Sequence, residues 1–124
     1  MADHVTLTRA VLYRSRTGAY TVPAVVTCTA RSLNPAGVEA GALPPLSSSQ
    51  HVHLTVFTPG KPGKRADATD FVTESQHPVS ENLAGCYQEW DIPFWEPADS
   101  EKQSWEDGDY SVQPAGTWAW PQRL

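Results

Sequence analysis

The chain has 124 residues, of which 40 % are hydrophobic and 19 % charged, with 11 prolines, 8 glycines and a formal charge of −5 at pH 7. That length suits one domain with one core, and the prolines and glycines imply many turns. The acid excess makes duplex nucleic acid an unexpected partner, and no apolar run approaches the roughly 18 residues of a membrane span.

Met1 to Thr6 shows no basic stretch followed by an apolar one, so no signal peptide is expected and the chain reads as cytoplasmic. Cys28 and Cys86 sit in apolar, strand-like runs. In a cytoplasmic chain they read as two buried free thiols rather than a disulfide. Charge is unevenly spread. Residues 1–65 carry seven bases and two acids, whereas residues 66–124 carry twelve acids with only Lys102 and Arg123 as bases. Either the two halves neutralise each other, or a polarised surface steers a charged partner.

In chain order, residues 4–14 alternate, with Val5, Leu7, Val11 and Tyr13 on one face and Arg9 interrupting it. Gly18 supplies a turn after Ser15. Tyr20 to Ala30 is rich in β-branched residues and completes a hairpin, and Pro23 places the start of this run at a sheet edge or a bulge. Residues 34–50 are punctuated by Gly37, Gly41, Pro44 and Pro45 and read as a loop, with Leu43 and Leu46 lying on the body of the protein. His51 to Thr58 is the clearest strand. Val52, Leu54 and Val56 face one way; His51, His53, Thr55 and Phe57 face the other. Residues 59–65 read as a mobile basic loop within a 59–70 connection, and Phe71-Val72 as one short strand. Cys86 to Trp95 is a further strand, with Trp90, Ile92 and Phe94 on one face and Tyr87 on the other. Residues 96–109 are acidic and read as irregular, anchored by Trp105. Tyr110–Val112 and Thr117–Trp120 read as closing strands. The whole predicts a mainly β domain over residues 1–124: a small, partly open antiparallel barrel or sandwich of SH3 or OB type with long loops.

Few residues carry a catalytic pattern. Ser47-Ser48-Ser49 lacks the strand–turn–helix setting of a nucleophile elbow. Acid–base pairs drawn from Glu89, Asp91 and Glu96 are expected by chance among so many acids, and no glycine-rich phosphate loop is present. His51 and His53 project to one side of a strand and could bind a metal if His77, Cys86 or a carboxylate completed the shell. The expectation is nevertheless neither an enzyme nor a metal or cofactor protein.

The tryptophans are the stronger lead. Trp118 and Trp120, at i and i+2, share a face of an extended tail that Pro121 ends. Each indole can bury roughly 150–250 Å², so this tail is expected to dock on the fold. With Trp90 they are expected to form an aromatic pocket in which a planar ligand stacks. Arg14, Arg16 and Arg123, with Arg9 as a further candidate, would meet an attached phosphate, and His53 completes the expected ligand-binding set.

The stretch His51-Val52-His53-Leu54-Thr55-Val56-Phe57-Thr58-Pro59-Gly60 and the ending Gly116-Thr117-Trp118-Ala119-Trp120-Pro121 resemble a group of small proteins of tailed phages, notably actinobacterial ones. In that group a histidine often stands between the two tryptophans. Ala119 departs from this, which argues against a required catalytic group there. The resemblance implies a phage origin and, by itself, no particular activity. Two roles follow as expectations. One is a non-catalytic binding protein that sequesters a nucleotide-derived signal of host defence. The other is a virion head or tail accessory protein whose Pro-rich arms and aromatic tail contact neighbouring subunits. Either would act as a homo-oligomer, without a membrane partner, in the host cytoplasm or in the virion.

Overall fold

A computed structural model describes residues 5–58 and 85–122. It holds one antiparallel sheet of five strands: β1 (Ala10–Arg14), β2 (Thr21–Cys28), β3 (Val52–Phe57), β4 (Cys86–Ile92) and β5 (Trp118–Ala119). The spatial order is β4-β3-β2-β1-β5. Four strands form a meander, and the fifth returns beside the first with Tyr13 opposite Trp118. Two five-residue helices, α1 (Pro35–Glu39) and α2 (Lys102–Glu106), and a 3-10 turn at Tyr110–Val112 lie in the connections. The protein is thus mainly β, as its alternating sequence predicts.

The sheet is not closed by a continuous ladder. Its edges meet at a single isolated parallel bridge, Phe94 to Trp118. There the Trp118 amide donates to the Pro93 carbonyl at 3.0 Å and the Trp95 amide to the Trp118 carbonyl at 2.8 Å. Val11 and Tyr13 of β1, Val22, Ala24 and Val26 of β2, Val52, Leu54 and Val56 of β3, Ile92 of β4 and Trp118 of β5 all join one buried cluster. Both edge strands contribute to it, so the sheet is curled around its inner face. Each fully buried aliphatic side chain in that cluster contributes roughly 1.5–3 kcal/mol.

Several local expectations are corrected. Leu7 is 44 % exposed while Val5, Val11 and Tyr13 are buried. Thr8 turns left-handed at φ 65°, which breaks the alternation and starts β1 only at Ala10. Pro23 lies in a central strand, but the ladder from β2 to β3 begins one residue later, at Ala24 opposite Val56. Across the β1–β2 pair, backbone hydrogen bonds join Ser15 to Tyr20 and Arg9 to Val26. The alternation between those two pairs turns the Pro23 nitrogen away from β1. Its missing N–H therefore faces β3, one residue beyond the point where that ladder begins.

In β4, Trp90 and Ile92 do not share a face. Leu54 pairs with Glu89 but Val52 pairs with Ile92, so Trp90 and Asp91 form a bulge opposite His53. Within it Asp91 takes the left-handed conformation, φ 56°. Glu89 and Ile92 consequently point inward and Trp90 outward.

Residues 34–50 contain one helical turn. Asn34 caps it by accepting from the Ala36 amide at 2.9 Å, Pro35 suits its first position, and Gly41, φ 77°, follows its end. The 96–109 segment contains α2, with Trp105 buried as its anchor. Tyr110–Val112 is a 3-10 turn rather than a strand, because Asp109 caps it by accepting from the Ser111 amide. Cys28 is buried and Cys86 exposed, and both are free thiols. The expected basic loop 59–65, the strand near Phe71-Val72, His77 and Arg123 lie outside the described residues. Among the described residues no helix is long and apolar enough to cross a membrane.

Candidate functional site

The tail docks. Gly116, at φ 74°, turns the chain onto the edge of β1, its amide donating to the Arg14 carbonyl at 2.8 Å and the Arg14 amide to the Thr117 carbonyl at 3.0 Å. Trp118 then points inward. It is 0 % exposed, lies 4.6 Å from the Phe94 ring, and its indole N–H donates to the Gln50 carbonyl at 2.9 Å. A ring so enclosed is a core residue, and this corrects its expected place in a ligand pocket.

Trp120 meets Trp118 edge to face at 5.2 Å but is only half-buried. It forms one wall of a cleft of about 370 Å³, with Phe94, Trp95 and the buried Trp105 as the other aromatic surfaces. Trp95 and Trp105 stand nearly perpendicular with ring centroids 5.2 Å apart, and Tyr110 continues the edge-to-face stack behind Trp105 at 5.9 Å. Such pairs contribute about 0.5–1.5 kcal/mol beyond the area they bury. Glu96, Glu106 and Lys102 supply the charge around the opening, and Pro97 and Pro121 border it. Three separate pieces of chain build the cleft: the segment leaving β4, helix α2, and the tail. The Arg9 guanidinium sits 4.7 Å from the centre of the Trp120 ring. The Trp120 indole N–H is buried without an acceptor among the described residues.

Trp90 belongs elsewhere. The β4 bulge turns it to the outer face of the sheet, 41 % exposed, with its ring 5.0 Å from that of His53. Together with Leu7 and Leu43 these two line a second cleft of about 380 Å³. Trp90, Trp118 and Trp120 therefore do not make one pocket.

His53 is fully engaged. Its Nδ1 accepts from the Asp91 amide at 2.9 Å, so the proton resides on Nε2, which donates to the Pro44 carbonyl, also at 2.9 Å. Neither nitrogen is left for a ligand or metal. His51 spends its Nδ1 on the Ser48 hydroxyl at 2.6 Å. Among the described residues no three His, Cys, Asp or Glu groups are placed to hold a metal ion. Burial is the largest influence on Asp91 and raises its pKa. The Ser47 hydroxyl and amide and the nearby His51 and His53 outweigh it, holding the carboxyl below its ordinary value.

Among the described residues, Arg14 and Arg16 do not gather into a phosphate clamp. Arg14 donates to the Thr21 hydroxyl at 3.2 Å. The Arg16 Nε donates to both Glu89 oxygens, at 2.9 and 3.0 Å, and Glu89 also accepts from the Tyr13 hydroxyl at 2.8 Å. Glu89 is 3 % exposed, so this trio neutralises a buried carboxylate at the end of the core. Beside it the Tyr20 and Tyr87 hydroxyls lie 3.2 Å apart, and burial above all keeps Tyr87 protonated throughout the working pH range.

Sequence reasoning singles out Trp120 but pairs it with Trp90 and Trp118 rather than with Trp95, Glu96 and Glu106, which line the cleft beside it. The only available signal is Trp105, a lone large apolar residue in an acidic stretch. No protein-family model, curated protein or solved structure matches the chain.

Proposed function

We propose that this is a phage-encoded, non-catalytic binding protein on a partly open barrel of SH3 or OB kind, docking a neighbouring protein through the Trp95–Trp105–Trp120 cleft. The return of β5 to β1 and the meeting of the sheet's edges at Phe94 and Trp118 support the barrel. The resemblance of the His51–Gly60 and Gly116–Pro121 stretches to tailed-phage proteins supports the origin. One observation carries the function: three indoles from three separate segments converge on a single open cleft. Aromatic anchors in clefts dominate protein recognition because they bury large area at low entropic cost.

Of the two phage roles, an accessory protein that contacts another subunit is favoured over capture of a nucleotide-derived signal. A phosphate needs cations, and Arg14 and Arg16 are committed to Thr21 and Glu89. The charged residues lining the cleft are Glu96, Glu106 and Lys102. The protein then acts where phage subunits assemble, in the host cytoplasm or on the particle.

A random dodecapeptide library selected on the wild-type protein, with Trp95→Ser for counter-selection, tests this. Enrichment of a sequence family that needs Trp95 is the expected result. Failure to enrich one would sink the docking function. A nucleotide raising stability by about 2.7 kcal/mol at 100 times its Kd would move the assignment to signal capture.

A further inference from the structure

We infer that the outer face of the sheet carries a second site, the cleft of about 380 Å³ that Trp90 borders, and that it binds an uncharged, planar aromatic small molecule. Five large apolar side chains are exposed among the described residues, and three of them, Leu7, Leu43 and Trp90, line this one cleft. They arrive from three stretches of chain: the segment before β1, the connection from α1 to β3, and β4. Apolar surface gathered in this way marks a binding site, whereas apolar residues scattered singly do not.

The backbone is bent to put them there. Thr8 and Asp91 are the only non-glycine residues with positive φ among the described ones, at 65° and 56°. Each directly follows an apolar residue, Leu7 or Trp90, that simple alternation would turn inward. Left-handed geometry is unfavourable for both, most of all for β-branched Thr8. Strain of this kind clusters at ligand sites, where the fold holds a side chain in the place it is used. Trp90 is steadied further by His53, whose ring stands nearly perpendicular to it at 5.0 Å and is itself pinned at both nitrogens.

The lining sets the chemistry of the ligand. Among the described residues no Asp, Glu, Lys or Arg belongs to it. A charged ligand would therefore leave water for a cleft without a counter-charge. The side-chain donors of Thr27, Ser32 and His53 are given to carbonyls of the protein. Gln88 differs: its Oε1 accepts from the Thr55 hydroxyl at 3.0 Å, while its amide N–H groups have no acceptor among the described residues. An exposed indole and an amide donor in one apolar cleft suit a flat ring that bears a hydrogen-bond acceptor.

Quinoline, quinoline-3-carboxylate and N-methylquinolinium share one planar shape and differ in charge. Titration with each at neutral pH, followed at the indole N–H signal of Trp90, tests the inference. Quinoline is expected to shift that signal and leave those of Trp105 and Trp120 in place. It should also slow alkylation of Cys28, which lines the cleft, relative to exposed Cys86. Trp90→Ala should weaken quinoline binding about tenfold and Gln88→Leu about threefold, with the fold unchanged by circular dichroism. Either charged probe binding as tightly as quinoline would overturn the preference for an uncharged ligand. Quinoline binding that survives Trp90→Ala unchanged, or no movement of the Trp90 signal with any probe, would overturn the site itself.

Discussion

Trp118 and Trp120 are two residues apart on one short tail and have opposite fates. Trp118 is enclosed by Phe94 and the β strands, with its N–H given to Gln50. Trp120 stands in an open wall, with a cation over its face and its own N–H unanswered among the described residues. A core side chain has its packing and its hydrogen bond satisfied together. A recognition side chain keeps surface and bonding capacity in reserve. Residue type alone does not separate the two. The partner atoms do.

The sharpest way to break this contrast is truncation. Trp118→Ala should cost about 3–5 kcal/mol in urea unfolding, since it opens a cavity where both sheet edges meet. Trp120→Ala should cost distinctly less, and equal losses would show that both rings are structural. Next comes His53→Leu, which leaves the Asp91 amide and the Pro44 carbonyl unmet; about 1–3 kcal/mol is expected for each buried group stranded. Trp118→Phe should cost about 1–3 kcal/mol by stranding the Gln50 carbonyl. Trp120→Phe, which removes a donor without an acceptor among the described residues, should change stability by under about 1 kcal/mol. Thermal or urea unfolding of this phenylalanine pair sharpens the comparison most directly.

The smallest effect expected is in acid. Asp91 is held below its ordinary pKa, so its contribution is present above the unfolded carboxylate value and is lost as pH falls through the folded one. Asp91→Asn should lower stability slightly at neutral pH and flatten the loss on acidification. An unchanged acid slope would show that the Ser47 contacts carry no free energy in solution.

The inner strands are legible because their chemistry is local. Val22, Ala24 and Val26, like Val52, Leu54 and Val56, alternate with polar or exposed neighbours, and a two-residue period has one structural meaning. Gly18 at the first turn, φ 75°, is legible for the same reason. The β4 bulge is not. Its left-handed residue is Asp91, where a glycine would have signalled the break, so simple alternation puts Trp90 on the wrong face. Helix α2 leaves no signal either, because one turn around Trp105 shows no helical period. The cleft is hidden for a different reason: Trp95, Trp105 and Trp120 are spread along the chain and meet only through the bridge at Phe94 and Trp118. Long-range pairing of that kind leaves no trace in spacing.

That bridge also makes the short tail responsible for much of what the fold encloses. The tail pairs with β1 through only two residues, Leu12 with Ala119 and Tyr13 with Trp118, yet it seals the inner cluster and completes the cleft. It works as a clasp at the end of the connection that leaves β4 and returns to β1. Between adjacent copies such a clasp can be traded, every contact being remade across the pair. A traded tail would give each cleft walls from two chains, and emptying or filling it would then report on assembly itself.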